Sequence, residues 1–368
     1  MDDVERIPVD VSEQPSMASN DFIEKIEVVP LETNDSSIFH KYKKIAYNKE
    51  MDLYAIYTSN QDVFVFSGSG KYVANSNSMQ GQGPNEYYMV VDMAFNPYMK
   101  GIDLLNPYGI IYTYSPRFRL LSKRKVESKI PLMNLMPLNA DEYIFAYSSF
   151  RVNQEVLFAN LSTGTLQDAS YTGTISGNSM SPECFYNING RNYYVPIEFN
   201  YYIFQIDAMN KRLKPVLYLD FGDATVDGDA LPGRATCERS NSDRESERIG
   251  REYTERYKYL RTSNKVIPLI RLFNERYIYV YSVQTERGIG STYIFDRETG
   301  KHFLAKNGKP LLMGPCFAIS GNVLMLLTPL KYLHQAIDRQ LMSKEELQKI
   351  DQLKDDDNPV ILKYYLKQ

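Results

Sequence analysis

The sequence predicts an all-β fold: a six-bladed β-propeller of four-stranded antiparallel blades with helical insertions, its ring closed by the N-terminal strand. Three observations predict it. The chain carries 30 Tyr and 17 Phe but no Trp, and residues of this kind suit pleated, half-buried surfaces. An apolar strand ending in a small polar turn residue recurs at Ser67, Ser115, Asn160, Asp207 and Asp296, with steps of 48, 45, 47 and 89 residues. A period in the middle forties is the length of one four-stranded blade, and the long step is one blade plus an insertion of similar length. Finally, residues 22–31 form a spare strand before the first blade, while the last blade runs out of chain after its third strand.

Taken in order, residues 1–20 are polar, with Pro8 and Pro15, and read as a loosely held leader. Residues 21–368 then read as one propeller domain. Residues 22–31 alternate and then stop at Pro30, as an outer strand does. A propeller must close or leave raw sheet edges, so this strand is expected to complete the sixth blade. Third strands are countable near Val63, Ile111, Val156, Ile203, Tyr293 and Val360. In most of the turns that follow them, Gly or Asn stands where φ above zero is wanted, as at Gly70, Gly164, Asn210 and Gly300.

Two insertions interrupt the repeat. Residues 222–265 become charged, and Arg248, Glu252, Glu255, Arg256 and Lys258 alternate with Ile249, Tyr253, Tyr257 and Leu260 at helical spacing. Residues 333–357 read as helical to Leu353, with Ser343 and Glu346 spaced as a capping box and a stop at Asn358-Pro359.

Between the first two blades lies Gly81-Gln82-Gly83-Pro84-Asn85-Glu86-Tyr87, a shaped turn in which Pro84 fixes its own φ and Glu86 offers a carboxylate to nearby amides. Gly81, Gly83, Asn85, Glu86 and Tyr87 are the candidate ligand-binding residues, because loops between blades point toward an end of the central channel. The competing reading has Glu86 accepting hydrogen bonds from its own loop. Likewise the pairs Tyr87-Tyr88, Tyr193-Tyr194 and Tyr201-Tyr202 read either as packing between blades or as sugar-stacking surfaces.

Here the residues resemble a known family, the six-bladed β-propeller lipoproteins of the Bacteroidetes, related in shape to NHL-repeat propellers. The features that carry the likeness are Val28-Val29-Pro30-Leu31-Glu32-Thr33, Val65-Phe66 with Gly70-Lys71, the G-x-G-P-x-E-Y loop at 81–87, and Asn358-Pro359-Val360. The resemblance implies an exported protein of the periplasm or outer-membrane surface, tethered through a lipidated cysteine beside a removed signal peptide. No such cysteine precedes Asp2. It implies no reaction.

Other chemistry is thinly represented. Lys and Arg total 42 against 45 Asp and Glu, a net charge of −3, which lacks the positive field that nucleic acid or an anionic membrane surface requires. No apolar run approaches the roughly 18 residues of a membrane span. His40, His302 and His334 lack metal-ligand spacing, and Cys184, Cys237 and Cys316 read as buried thiols. Gly68-Ser69-Gly70-Lys71 lacks the parts of a phosphate loop, Asp220-Phe221-Gly222 stands without kinase partners, and Asp223, Asp227 and Asp229 miss the EF-hand order. No metal, cofactor or catalytic residue is assigned. The expected function is a non-catalytic binding or interaction propeller of the cell envelope for a glycan or peptide. The alternative is a polysaccharide lyase or hydrolase at the channel mouth, and the 222–265 insertion is a candidate site for a protein partner.

Overall fold

In a computed structural model of the 368-residue chain, the structure describes residues 4–11, 15–149, 152–175, 183–196, 199–227, 231, 243–286, 288–306 and 312–368. Their strands form six antiparallel blades. The inner, channel-lining strands in chain order are Tyr42–Asn48, Asp92–Asn96, Asn134–Pro137, Phe185–Ile188, Val266–Phe273 and Ala318–Ser320. The third strands are Val63–Ser67, Ile110–Tyr114, Val152–Asn160, Tyr202–Asp207, Ile289–Asp296 and Val360–Leu366. All six lie where the strand-and-turn repeat puts them.

The repeat turns follow the expected logic in most blades. Gly70, Gly164 and Gly300 adopt positive φ, at +85°, +69° and +68°. In blade 4 the left-handed residue is Lys211 at φ 52°, one position beyond Asn210; Asn210 instead donates its backbone and side-chain N–H groups to Asp207. Gly70 is required for a second reason, since a Cβ there would lie 2.0 Å from the carbonyl oxygen of Pro30. That contact brings the end of the closing strand against the blade 1 turn.

Closure is made by Ile23–Pro30, which pairs antiparallel with Val360–Leu366 as the outer strand of blade 6. Edge groups of that strand are covered by the short helix Lys344–Asp351. Its Glu346 Oε2 accepts from the Val28 amide at 2.6 Å, and Lys349 Nζ donates to the Val28 carbonyl at 3.3 Å. The capping box read at Ser343 is therefore half a box. Ser343 Oγ accepts from the Glu346 amide at 3.3 Å, whereas the Glu346 carboxylate is drawn away to the sheet edge, where an unpaired buried amide costs more than a solvated one. Residues 333–353 form two helices, Leu333–Ala336 and Lys344–Asp351, separated by extended backbone at Ile337 and a 3₁₀ turn at Arg339–Leu341. The other insertion carries the helix Asp243–Thr262.

Part of the expected polar leader is structured. Glu5–Pro8 adds a fifth, parallel strand to blade 4, beside Arg212–Asp220. From there the N-terminal segment crosses blade 5 to reach blade 6. Arg297 grips the Glu5 carboxylate with two bonds of 2.7 Å, Tyr293 donates to the Pro8 carbonyl at 3.0 Å, and the Ser16 and Met17 amides donate to the His302 carbonyl. Ile7, Val9, Met17 and Phe22 are buried beneath it. The strap thus joins three blades.

Candidate functional site

The six inner strands enclose a central channel of about 760 Å³. They start at one end of the barrel-like ring and finish in tight turns at the other. Each strand alternates its side chains, and Ile45, Met93, Leu135, Phe185, Leu272 and Ile319, which border the channel, are buried in the apolar packing of the blades.

At the end where the strands begin, the channel holds a charged cluster. Lys44, the third residue of its strand, donates from Nζ to Asp92 Oδ1 at 2.8 Å and to Glu183 Oε2 at 2.6 Å. The other Asp92 oxygen accepts from the Leu135 amide at 2.9 Å, and Glu183 Oε1 accepts from the Cys184 and Phe185 amides at 3.1 and 3.0 Å. Blades 1, 2, 3 and 4 meet in this one network. The Lys44 and Asp92 side chains are 3% and 2% exposed, while Glu183 keeps 21%. Burial works against the Lys44 ammonium, but the two carboxylates outweigh it and hold its pKa above the ordinary value. Burial pushes the Asp92 and Glu183 carboxyls up, with the Lys44 charge opposing it.

At the turn end the lining becomes polar and uncharged apart from the rim residues Lys49 and Glu50. Tyr98 is 49% exposed there, and Asn48, Asn187, Asn189 and Asn192 border the same cavity. The Asn187 amide donates to Asn192 Oδ1 at 2.7 Å.

The loop 81–87 lies between blades 1 and 2, and none of its residues borders the channel. Glu86 Oε2 accepts from the Gly83 amide at 2.8 Å, and a Cβ on Gly81 would sit 2.0 Å from the same oxygen. Tyr87 is buried, donates to the Gln61 carbonyl at 2.9 Å and shares a 2.6 Å bond with Ser76 Oγ; burial pushes its hydroxyl up to about 12. The Asn85 carbonyl accepts from the Tyr114 hydroxyl at 2.7 Å. Every one of these contacts is made within the fold. Of the tyrosine pairs, Tyr87, Tyr193, Tyr194 and Tyr201 are buried and Tyr88 is 44% exposed.

The remaining candidates are dispersed. His40 and His334 are exposed, and His302 stacks on Tyr293 beneath the strap. Cys184 and Cys316 are buried, while Cys237 and Asp229 lie outside the described residues. Asp223 and Asp227 border a second hollow of about 710 Å³ together with Tyr201, Tyr218 and Lys265. Among the described residues no three His, Cys, Asp or Glu are grouped to hold a metal ion, and no helix is long and apolar enough to cross a membrane.

Sequence reasoning missed the Lys44, Asp92 and Glu183 cluster. Its members are 48 and 91 residues apart, and the one available signal was a lysine among the apolar residues of the strand Tyr42–Asn48.

The profile of a domain family of unknown function, DUF4934, matches residues 4–365. The chain belongs to that family. None of the curated proteins matches it. Among solved structures it is similar to a protein of Bacteroides fragilis NCTC 9343 provisionally named an exported protein, at 14% identity and a TM-score of 0.72, covering 99% of this chain and 100% of the other. At that identity the likeness shows the fold alone. Weaker similarity extends to the RRP9 WD40 repeats, with 10% identity, a TM-score of 0.43 and coverage of 96% and 99%. The Cps50 (Swd1) propeller of Myceliophthora thermophila gives 9%, 0.41, and 80% and 95%.

Proposed function

We propose that this protein is a non-catalytic binding propeller that takes an uncharged glycan at the turn end of its channel. The observation that carries the reading is the mouth itself. A half-exposed tyrosine, Tyr98, and the polar side chains of Asn48, Asn187, Asn189 and Asn192 border the same end of one cavity. Sugar rings present apolar C–H faces edged with hydroxyls, so an aromatic face plus neutral donors and acceptors meets both requirements. A peptide is the second occupant of the same chemistry. The two channel carboxylates are each bonded to Lys44, which favours binding over acid–base hydrolysis, since a hydrolase needs its carboxyls available to a substrate atom.

The likeness to an exported protein and the sequence resemblance to envelope lipoproteins support an exported, envelope-tethered location. The helix Asp243–Thr262, charged along most of its length, supports a protein contact through the 222–265 insertion.

Thermal unfolding with a panel of neutral oligosaccharides and short peptides tests the reading, because a ligand of the folded state alone raises the transition temperature. A neutral glycan is expected to raise it, and Tyr98→Ala to weaken that glycan by about tenfold or more, while Tyr88→Ala leaves it unchanged. A shift with peptides alone would replace the glycan, and equal loss in both variants would move the site away from the channel mouth.

A further inference from the structure

Blade 2 ends in an open, basic edge. Among the described residues its outermost strand, Leu120–Lys125, pairs along one side only, with Ile110–Tyr114. The outer strands of blades 4, 5 and 6 are instead met by other parts of the chain: Glu5–Pro8, the Ser16 and Met17 amides, and the helix Lys344–Asp351. Residues 117–129 hold six Lys and Arg against one acid, Glu127, in a chain whose net charge is −3. Lys123 and Lys125 stand two residues apart, so both side chains leave the same face of the strand. Lys123 Nζ lies 5.1 Å from the Tyr112 ring centroid, and Lys125 bonds to Glu127 at 2.6 Å in a pair 52% and 82% exposed, which solvent weakens. Arg124, on the other face, is committed to Asp141 and to the Ala140 carbonyl of blade 3.

An apolar patch continues this edge where the strand finishes. The Val126 amide donates to the Gly109 carbonyl at 3.0 Å, which seats the strand end beside Tyr108. Asn106, fully buried, donates to the Tyr88 carbonyl at 2.8 Å and accepts from the Tyr108 amide at 2.9 Å, so one side chain holds the backbone of both tyrosines. Tyr108 is 59%, Tyr88 44% and Met89 41% exposed. Tyr88 and Met89 directly follow the 81–87 loop, and its inward contacts through Glu86 and Tyr87 fix what its end presents. We propose that this surface docks an acidic, extended segment of a partner protein, added to blade 2 as a fifth strand. The chain contains a precedent. Glu5–Pro8 is a fifth strand on blade 4, where Arg6 meets Asp220 at 3.2 Å and lies over the Tyr218 ring at 4.6 Å. At blade 2 the edge supplies the cations, so the incoming strand supplies the carboxylates, spaced two residues apart to face Lys123 and Lys125. Lysines on an edge repel a second copy of that edge, which leaves a strand of opposite charge as the occupant. An apolar residue at its end covers Tyr88, Met89 and Tyr108, and Tyr and Met are residue types enriched at interfaces.

The inference stands apart from the glycan reading, since Tyr98 follows the inner strand Asp92–Asn96 that Tyr88 and Met89 precede, and so lies at the other end of the ring. The probe is a dye-labelled peptide of alternating Glu and Thr that ends in Leu-Phe, compared with the same peptide carrying Lys for Glu. Each is titrated into the full chain at low salt, where charge is least screened, and read by fluorescence anisotropy. The acidic peptide is expected to bind and the basic one to stay free. Combining Lys123→Glu with Lys125→Glu is expected to weaken the acidic peptide by about tenfold or more and to admit the basic one. Tyr108→Ala is expected to weaken the acidic peptide without admitting the basic one. In the wild type, the bound acidic peptide is expected to slow hydrogen exchange across residues 120–125, the mark of a paired strand, and this readout decides the matter should a variant fail to fold. Equal binding of both peptides, unchanged affinity in the charge-swapped chain, or binding that leaves exchange at 120–125 unaltered would overturn the proposal. Binding of polygalacturonate in place of the acidic peptide would overturn it too.

Discussion

Blades 4–6 and blades 1–3 are held together in different ways. In the first group a single apolar cluster runs from Ile7, Val9 and Phe22 of the strap through Tyr201, Ile203 and Leu219 of blade 4, Leu272 and Ile294 of blade 5, and Leu324 and Tyr364 of blade 6. In the second group separate clusters sit between neighbours, one around Ala55, Val65, Met93 and Ile102 and another around Leu105, Val126, Leu135 and Phe145. Buried polar networks supplement them. Asp103 accepts from Thr113 at 2.6 Å, Tyr143 at 2.8 Å and Asn96 at 2.9 Å, and Lys44 joins blade 1 to blades 2 and 4. A repeat ring is a chain of nearest-neighbour contacts. The strap makes three of its members share contacts that are distant in sequence, so the half containing the chain ends is stitched where an open ring would otherwise fray.

The contrast is broken most severely by removing residues 4–30, which deletes the strap and the closing strand together. Loss of a single cooperative thermal transition is expected, and retention of one by calorimetry would show that neither is needed for closure. A smaller break comes from Phe22→Ala. Phe22 is 1% exposed and lies 5.1 Å from Phe303 and 6.4 Å from Tyr277 between ring centroids. A loss of about 4 kcal/mol in denaturant unfolding is expected for truncating such a side chain.

In blades 2 and 3, Asp103→Ala leaves three buried donors without their acceptor, for an expected loss of about 3 kcal/mol. Hydrogen exchange is expected to rise first at the blade 2–3 junction, whereas the Phe22 variant raises it across blades 5 and 6. Identical exchange patterns would erase the distinction between the halves. Glu86→Gln, which keeps the loop shape but gives up a charge-assisted bond to Gly83, is expected to cost about 1 kcal/mol. Arg297→Ala removes the grip on a Glu5 side chain that is 41% exposed, and less than about 1 kcal/mol is expected because solvent screens the pair. If that loss instead matched the Phe22 variant, the strap would be held by charge rather than burial.

Much of the architecture was legible because its signals are local. Each third strand is an apolar run followed within a few residues by its turn, and the helix at 243–262 declares itself by spacing along one segment. The closing strand could be inferred because a ring with a missing outer strand and a spare strand elsewhere has one economical solution. The strand Glu5–Pro8 was passed over, although Ile7, Val9 and Val11 alternate with Arg6, Pro8, Asp10 and Ser12. Its polar positions belong to partners in blades 4 and 5, Asp220 and Arg297, which no local window contains. The helical reading of residues 333–353 overran for a similar reason, since Glu346 serves the edge of a strand more than 300 residues earlier.

The amino-acid sequence by itself determined the blade number and the identity of the strand that closes the ring, since these follow from periodicity and the need to pair sheet edges. It also set the inward turn of Glu86, because that contact spans three residues. The tertiary structure alone assembled the candidate site. Tyr98 and the asparagines of blades 1 and 4 reach one mouth, and Lys44, Asp92 and Glu183 reach one floor, only when the ring closes. The contributing side chains come from several blades, and charges become coupled by distance in space, not by distance along the chain.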